Sequence, residues 1–309
     1  MIGFLHHIRL RNIQQDVIGF FLNVIEAHAK LEDIGIGTYV GVSTRVNGLS
    51  FILFYKLEMN GFRGELISDT HLSSSKYTDQ QISDIFPGSP DNLVLAGDIG
   101  DPDSPSLYTA LQFAKQRYKR VIMVPGNHEF DTIEPGSKKN PASVISWFKK
   151  LDEQWDNFHF FYRRNEIIDG VRILGATCWT TSPKMDTWSN VISQEGKKDI
   201  EFLELNLRKS TIPTLIVSHY PPTLRVLQTP FTEKITQYDY AQDLERIFHY
   251  PLHTWTFGHV HQKYDQQLPY SSSMSGAGKV RLLCNPYGYH NEEIAAHRPK
   301  PFSIGFASM

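Results

Sequence analysis

The chain has 309 residues, of which 40% are hydrophobic, so it can bury a sizeable core. Its 31 Lys and Arg nearly balance 33 Asp and Glu, which provides no broad field to gather nucleic acid or an acidic membrane. Two cysteines, Cys178 and Cys284, do not make a disulfide framework and read as small core residues; a reducing, cytoplasmic setting follows as the expectation.

In chain order, Ile13 to Leu31 reads as a helix, and Thr38 to Leu57 as a hairpin around Asn47-Gly48, a dipeptide suited to a type I′ turn. A secretory signal ending near Ala27-His28-Ala29 is the competing reading, opposed by Asp16 before its apolar stretch and Asn23 within it. The apolar runs are too short for a membrane span. Residues 1–58 therefore stand as an N-terminal extension dispensable for catalysis. Residues 59–309 stand as the catalytic domain, with Met59 as a candidate start.

From residue 65 onward, five short apolar runs each end in metal-binding side chains. Glu65 to Ser68 leads into Ser68-Asp69-Thr70-His71, and Asn92 to Ala96 into Gly97-Asp98-Ile99-Gly100-Asp101. Val121 to Val124 leads to Gly126-Asn127-His128-Glu129, Thr214 to Val217 into Ser218-His219, and Thr254 to Phe257 into Gly258-His259-Val260-His261. Such β-branched, mostly apolar runs are strands buried on both faces, so each polar cluster falls at a strand's C-terminal end, where open α/β sheets bind ligands. Residues two apart on an extended segment point the same way, so Asp69 with His71, and His259 with His261, are each expected to present a matched pair. Gly97, Gly126 and Gly258 mark sharp turns or close approach. Carboxylate, imidazole and amide oxygen without thiolate suit Mn, Fe, Zn, Co or Mg, and seven such donors serve two ions better than one.

Between these runs, Ser106 to Tyr118, Pro141 to Glu153, Asp199 to Ser210 and Ala241 to Tyr250 carry apolar residues at helical spacing. Thr181 to Gly196, Pro221 to Tyr238 and Gln266 to Lys279 read as linking stretches near the site. The last holds Ser271 to Gly278 and is expected to be a flexible loop. Met185, Trp188 and Phe231 are candidate lid contacts, with packing beneath the loops as the alternative.

The five clusters, in this order, resemble the signature of the calcineurin-like metallophosphoesterases over residues 63 to about 290. Ile173 to Thr180 and Cys284 to Tyr289 resemble segments of a bacterial-type subgroup of mostly unassigned substrate. The resemblance implies a four-layer α/β/β/α sandwich and a binuclear centre, with Mn2+ foremost among the candidate ions. It places Asp69, His71, Asp98 and His261 on one metal, and Asp98, Asn127, His219 and His259 on the other, with Asp98 as bridge. His128 would contact the phosphoryl group and protonate the leaving oxygen, and hydrolysis would proceed by activated water without a phosphoenzyme.

Asp101 and Glu129 are open between orienting a ligand and capping or surface roles. Tyr220-Pro221-Pro222 reads as a strand stop. His6, His7, His28, His159, His249, His253, His290 and His297 are assigned no metal, His290 alone keeping a substrate contact as an alternative.

The expected activity is hydrolysis of a nucleotide or other small phosphodiester. Monoester hydrolysis, and a non-catalytic scaffold of the same fold, are the alternatives. Asp101-Pro102-Asp103 stands where protein phosphatases of the family carry Asp-Arg-Gly, which argues against that substrate, and no basic groove points to a nuclease. The oligomeric state is left open.

Overall fold

The computed structural model describes residues 39–46, 49–56, 61–74, 76–131, 138–180, 187–227, 239–289 and 298–305. The chain divides into two compact units, residues 1–60 with 306–309, and residues 61–305. In the first, β1 (Tyr39–Val46) and β2 (Leu49–Lys56) form an antiparallel hairpin whose register runs from Tyr39 opposite Lys56 to Val46 opposite Leu49. The expected helix over Ile13 to Leu31 and the Asn47-Gly48 turn lie outside the described residues.

The second unit is built on two sheets. In chain order its strands are β3 (Phe62–Ile67), β4 (Ser89–Ala96), β5 (Tyr118–Val124), β6 (Phe158–Phe160), β7 (Arg164–Ile168), β8 (Val171–Gly175) and β9 (Thr214–Val217). They continue with β10 (Leu252–Phe257), β11 (Tyr264–Ser272), β12 (Gly276–Cys284) and β13 (Lys300–Ile304). One sheet has the order β13-β3-β4-β5-β6, the other β11-β12-β10-β9-β8-β7. Strands β3 to β6 are parallel, as are β8, β9, β10 and β12; only β13, β7 and β11 run antiparallel, each at an edge.

Side-chain alternation along the strands creates the layers. Leu66, Val94, Ala96, Ile122 and Val124 of the first sheet share one buried cluster with Ile173, Leu215, Val217 and Leu283 of the second. Their alternates, including Leu93, Leu95, Val121 and Met123, join a larger cluster with helix residues Leu107, Leu111, Phe148, Leu203 and Leu207. Burial on both faces is what the near-continuous apolar runs required, and it yields the expected four-layer α/β/β/α sandwich.

The helices start where local chemistry caps them. Thr78 caps α1 (Asp79–Ile85) in a reciprocal box with Gln81. Ser104 and Asn140 cap α2 (Pro105–Arg117) and α3 (Pro141–Gln154), each with proline at the first helical position. Helix α4 (Thr187–Lys209) begins twelve residues before the expected Asp199, absorbing half of a stretch read as a linker.

Two expectations are corrected. Ala241 to Tyr250 forms only a 3-10 turn at Glu245–Ile247, because the Gln242 and Leu244 N–H groups donate to the carbonyls of Pro221 and Pro222 rather than along a helix. Gln266 to Lys279 is no loose loop but most of the β11–β12 hairpin. Gly276 takes a φ of +76° after the three-residue turn, and Tyr270 lies so close over Gly278 opposite it that an added Cβ there would sit 2.4 Å from the phenol oxygen. Composition suggested flexibility; cross-strand pairing decided otherwise.

Candidate metal centre

The parallel strands β3, β4, β5, β9 and β10 end at one edge of the double sheet, and each exit turn delivers polar side chains there. Asp69, His71, Asp98, His259 and His261 all have positive φ, between 43° and 70°. For residues with a Cβ this costs about 1–3 kcal/mol each and persists only where surrounding contacts impose it. Those contacts are backbone bonds between exit turns. The N–H groups of Asp69, His71 and Leu72 donate to the carbonyls of Gly97, Asp98 and Ile99, while Tyr287 and Gly288 donate to Ser68 and Asp69.

The left-handed turns correct one detail of the spacing argument. Asp69 and His71 do converge, but by a turn rather than along an extended segment. His259 and His261 diverge into different groups. Among the described residues, three sets offer ligand atoms within 4.8 Å of one another: Asp69 with His71 and His261, His71 with Asp98 and His128, and Asp98 with His219 and His259.

Several contacts fix these sets. The Nε2 atoms of His71 and His261 are 2.9 Å apart, and His261 Nε2 lies 3.6 Å from Asp69 Oδ1. The His219 Nε2 atom stands 3.1 Å from Asp98 Oδ2 and 3.0 Å from Asn127 Oδ1, while its Nδ1 faces the Ala96 carbonyl at 2.9 Å. That second contact turns Nε2 toward the shared carboxylate. Asp69 accepts from the His259 N–H at 2.9 Å and from the Ser68 hydroxyl at 2.5 Å.

Glu129 is wholly buried, and its role is now plain. Its carboxylate accepts backbone N–H bonds from Asp98, Ile99, Gly100 and Gly126 at 2.6–3.2 Å, tying the exit turn of β4 to that of β5. It holds backbone rather than an imidazole. Gly97 and Gly126 are close-approach positions: an added Cβ would lie 2.5 Å from His219 Nδ1 at the first and 2.2 Å from Asp98 Oδ1 at the second. Asp101 accepts from the Asp103 N–H and pairs with Lys139.

Burial holds His71 down to about 3, and burial with the His219 charge holds His259 well below the usual imidazole range, so both present neutral nitrogens. Burial alone would raise Asp98, but the His219 imidazole beside it holds its carboxyl well below the usual range. The same pairing overcomes burial at His219 and lifts it to about 9. His259 Nε2 is buried and has no hydrogen-bond partner among the described residues. A buried, neutral, unpaired imidazole nitrogen beside a carboxylate and a second imidazole suits a divalent cation of the borderline type.

His128 sits at the mouth of the site. Its Nδ1 lies 2.7 Å from Asp131 Oδ2, its Nε2 3.9 Å from Asp98 Oδ2 and 3.2 Å from the Tyr289 hydroxyl. Burial would lower its basicity, but Asp131 and Asp98 outweigh that and raise it. Tyr289 also stacks on His71, with ring centroids 4.1 Å apart and planes 16° from parallel. On the other side, Tyr220 is buried with its ring 4.1 Å from that of His259, so it walls the site as well as ending a strand. A cavity of about 520 Å³ opens beside His71, His128, Asp131 and Tyr289.

From the sequence, Asp131 has no assigned role and Tyr289 enters only within the Cys284 to Tyr289 segment, with no place at the site. The 3-10 turn at His128–Phe130 brings Asp131 back under the imidazole, and an Asp three residues after a histidine was the available signal. Tyr289 arrives from far along the chain, anchored by the Tyr287 and Gly288 bonds, and its segment alone does not say that it stacks on His71. Of the other histidines, His159, His249 and His253 lie outside the three sets; His6, His7, His28, His290 and His297 fall outside the described residues, as do Met185 and Phe231 and the side chain of Trp188. Cys178 and Cys284 are buried free thiols.

The sequence model of the calcineurin-like phosphoesterase family matches residues 66–263. The chain belongs to this family. An uncharacterised protein of Acanthamoeba polyphaga mimivirus is 23% identical over an alignment of 238 residues that covers 64% of this chain and 82% of that protein. The crystal structure of a phosphopantetheinyl hydrolase from Mycobacterium tuberculosis superimposes with a TM-score of 0.58 at 16% identity, over 79% of this chain and 96% of that one. Calcineurin-like phosphoesterases act on phosphoesters with divalent metals, and the Asp and His sets at the strand ends supply donors for such ions. Among the described residues, no helix is long and apolar enough to cross a membrane.

Proposed function

We propose that this calcineurin-like phosphoesterase is a two-metal hydrolase of a small phosphodiester, a nucleotide or a comparable ester. Asp69, His71, Asp98 and His261 would hold one divalent ion, and Asp98, Asn127, His219 and His259 the other, with Mn2+ the first to test and Fe, Zn, Co or Mg as alternatives. Ions bound there would polarise the phosphoryl oxygens and acidify the attacking water. The observation that carries the reading is Asp98: its buried carboxylate belongs to two of the three donor sets, one of which includes His259, whose buried Nε2 has no hydrogen-bond partner among the described residues.

The chain's own residues do the rest. Buried turns fix the donors and exclude bulk water. Asp131 engages His128 at Nδ1, which leaves Nε2 facing the cavity as a proton donor to the departing oxygen, a contribution of about a hundred- to ten-thousand-fold. The name of the fold neighbour, a phosphopantetheinyl hydrolase, fits a small organic phosphoester as substrate class.

Metal-free protein reloaded with Mn2+, Zn2+ or Mg2+ is expected to cleave bis-p-nitrophenyl phosphate faster than p-nitrophenyl phosphate, and Asp98→Asn is expected to lose both metal and cleavage. Two bound ions with neither ester cleaved would favour a binding scaffold. Faster cleavage of the monoester would make the enzyme a phosphatase.

A further inference from the structure

The cavity beside His128 carries information about what leaves. Under the hydrolase reading, on which this inference rests, His128 protonates the departing oxygen, so the group attached to that oxygen lies on the His128 side of the metal centre. That side is the cavity of about 520 Å³. Away from the centre, its wall is made of Ser73, Ser74, Asp101, Asp103 and Ser104, with Asp131 below His128. Among the described residues, none that lines it is Lys or Arg.

Two lysines sit against these carboxylates and are held by them. Lys138 pairs with Asp131 and Lys139 with Asp101 and Asp103, and neither lines the cavity. The start of α2 reaches the wall at Ser104 and Pro105, but it offers little to an anion. Pro105 has no N–H, and the Ser106 N–H is taken by the Ser104 hydroxyl. The Asp101 N–H is likewise taken, by the Ser73 hydroxyl at 2.6 Å. A carboxylate or second phosphate placed here would meet carboxylate oxygens whose cationic partners are already engaged by them, and would exchange water for few free donors. An alcohol's hydroxyls or an ammonium group would meet acceptors on every side.

We propose that this cavity is the leaving-group pocket and that it selects a phosphoester of an uncharged polyol or an amino alcohol, rejecting esters whose leaving group bears its own anion. Asp103, whose side chain is 66% exposed, sets the charge at the rim.

The test uses phosphate monoesters and methyl phosphodiesters of ethanolamine, glycerol and glycolate, which present an amine, a hydroxyl or a carboxylate at similar size. Release of each alcohol by the Mn2+-loaded full chain is measured beside bis-p-nitrophenyl phosphate and p-nitrophenyl phosphate. Binding of the same esters is measured by calorimetry. The ethanolamine and glycerol esters are expected to exceed the glycolate esters by about tenfold or more in kcat/KM and in affinity, and Asp103→Lys should shift the ethanolamine-to-glycolate ratio toward glycolate by about tenfold. Glycolate esters cleaved or bound as well as the others, or a ratio unmoved by Asp103→Lys, would overturn the proposal. Failure of the hydrolase reading looks different: neither p-nitrophenyl ester is cleaved, and the calorimetric ranking still decides the pocket's preference.

Discussion

Nδ1 of His128 lies 2.7 Å from Oδ2 of Asp131, one 3-10 turn later in the chain. The contact sets which imidazole nitrogen faces the cavity, because a hydrogen bond at Nδ1 leaves Nε2 pointing the other way. Asp131→Ala removes that constraint without touching any of the proposed ligands. Turnover of an ester with an alkyl leaving group is expected to fall about ten- to a hundredfold, while cleavage of a p-nitrophenyl ester, whose leaving group departs without a proton, changes little. Metal content should be unchanged. Equal losses on both esters would remove Asp131 from the proton-delivery role.

Glu129 joins two exit turns through four backbone N–H donors. Glu129→Gln keeps the volume but turns an NH2 toward either the Asp98 and Gly126 donors or the Ile99 and Gly100 donors. Leaving buried N–H groups unpaired costs about 1–3 kcal/mol. A lower thermal midpoint together with weaker metal binding is therefore expected, since the Asp98 turn is what Glu129 holds. A fall in stability with metal affinity intact would show the cradle to be structural only.

How much of this was legible in the sequence depends on distance along the chain. The strands and their polar ends could be read because each apolar run and the ligand that follows it are contiguous, as in Leu93-Val94-Leu95-Ala96 before Gly97-Asp98. The left-handed turns could not, since nothing in Asp69-Thr70-His71 says that it will bend; that bend is imposed by Gly97, Asp98 and Ile99 carbonyls from another strand. His259 and His261 were therefore assigned matching directions when they point to different sets. The same limit hid the place of Tyr289 over His71, and it made the serine- and glycine-rich stretch around Gly276 look loose when its register with β11 was already determined by pairing.

Stability at low pH should report on Glu195 of α4, which belongs to none of the three donor sets. Burial would raise its carboxyl, but Lys198, Tyr162 and Arg163 outweigh that and hold it at about 2. Its folded value is depressed below the ordinary 4.5 of a glutamate, so its contribution is present above 4.5 and is lost as pH falls from there through about 2. Because the group is partly exposed, screening limits the effect to about 1 kcal/mol or less. The denaturation midpoint of Glu195→Gln should lie below that of the parent at pH 7 and converge with it toward pH 2. A constant gap across that range would mean that the substitution acts through packing.

Gly126 tests how tightly the Asp98 carboxylate is placed. An alanine Cβ would lie 2.2 Å from Asp98 Oδ1 and 2.6 Å from its backbone nitrogen, a distance at which one of the two must move. Neither is the free end of a flexible chain: Oδ1 accepts the His128 N–H at 2.8 Å, and the nitrogen donates to Glu129. Gly126→Ala should therefore displace the carboxylate shared by two donor sets, lowering metal stoichiometry in equilibrium dialysis and reducing stability by about 1–3 kcal/mol. Gly305→Ala, where an added Cβ meets nothing within 4 Å, is the matched control and should bind metal as the parent does. If Gly126→Ala binds two ions with parental affinity, Asp98 has room to rotate and cannot be the fixed bridge between them.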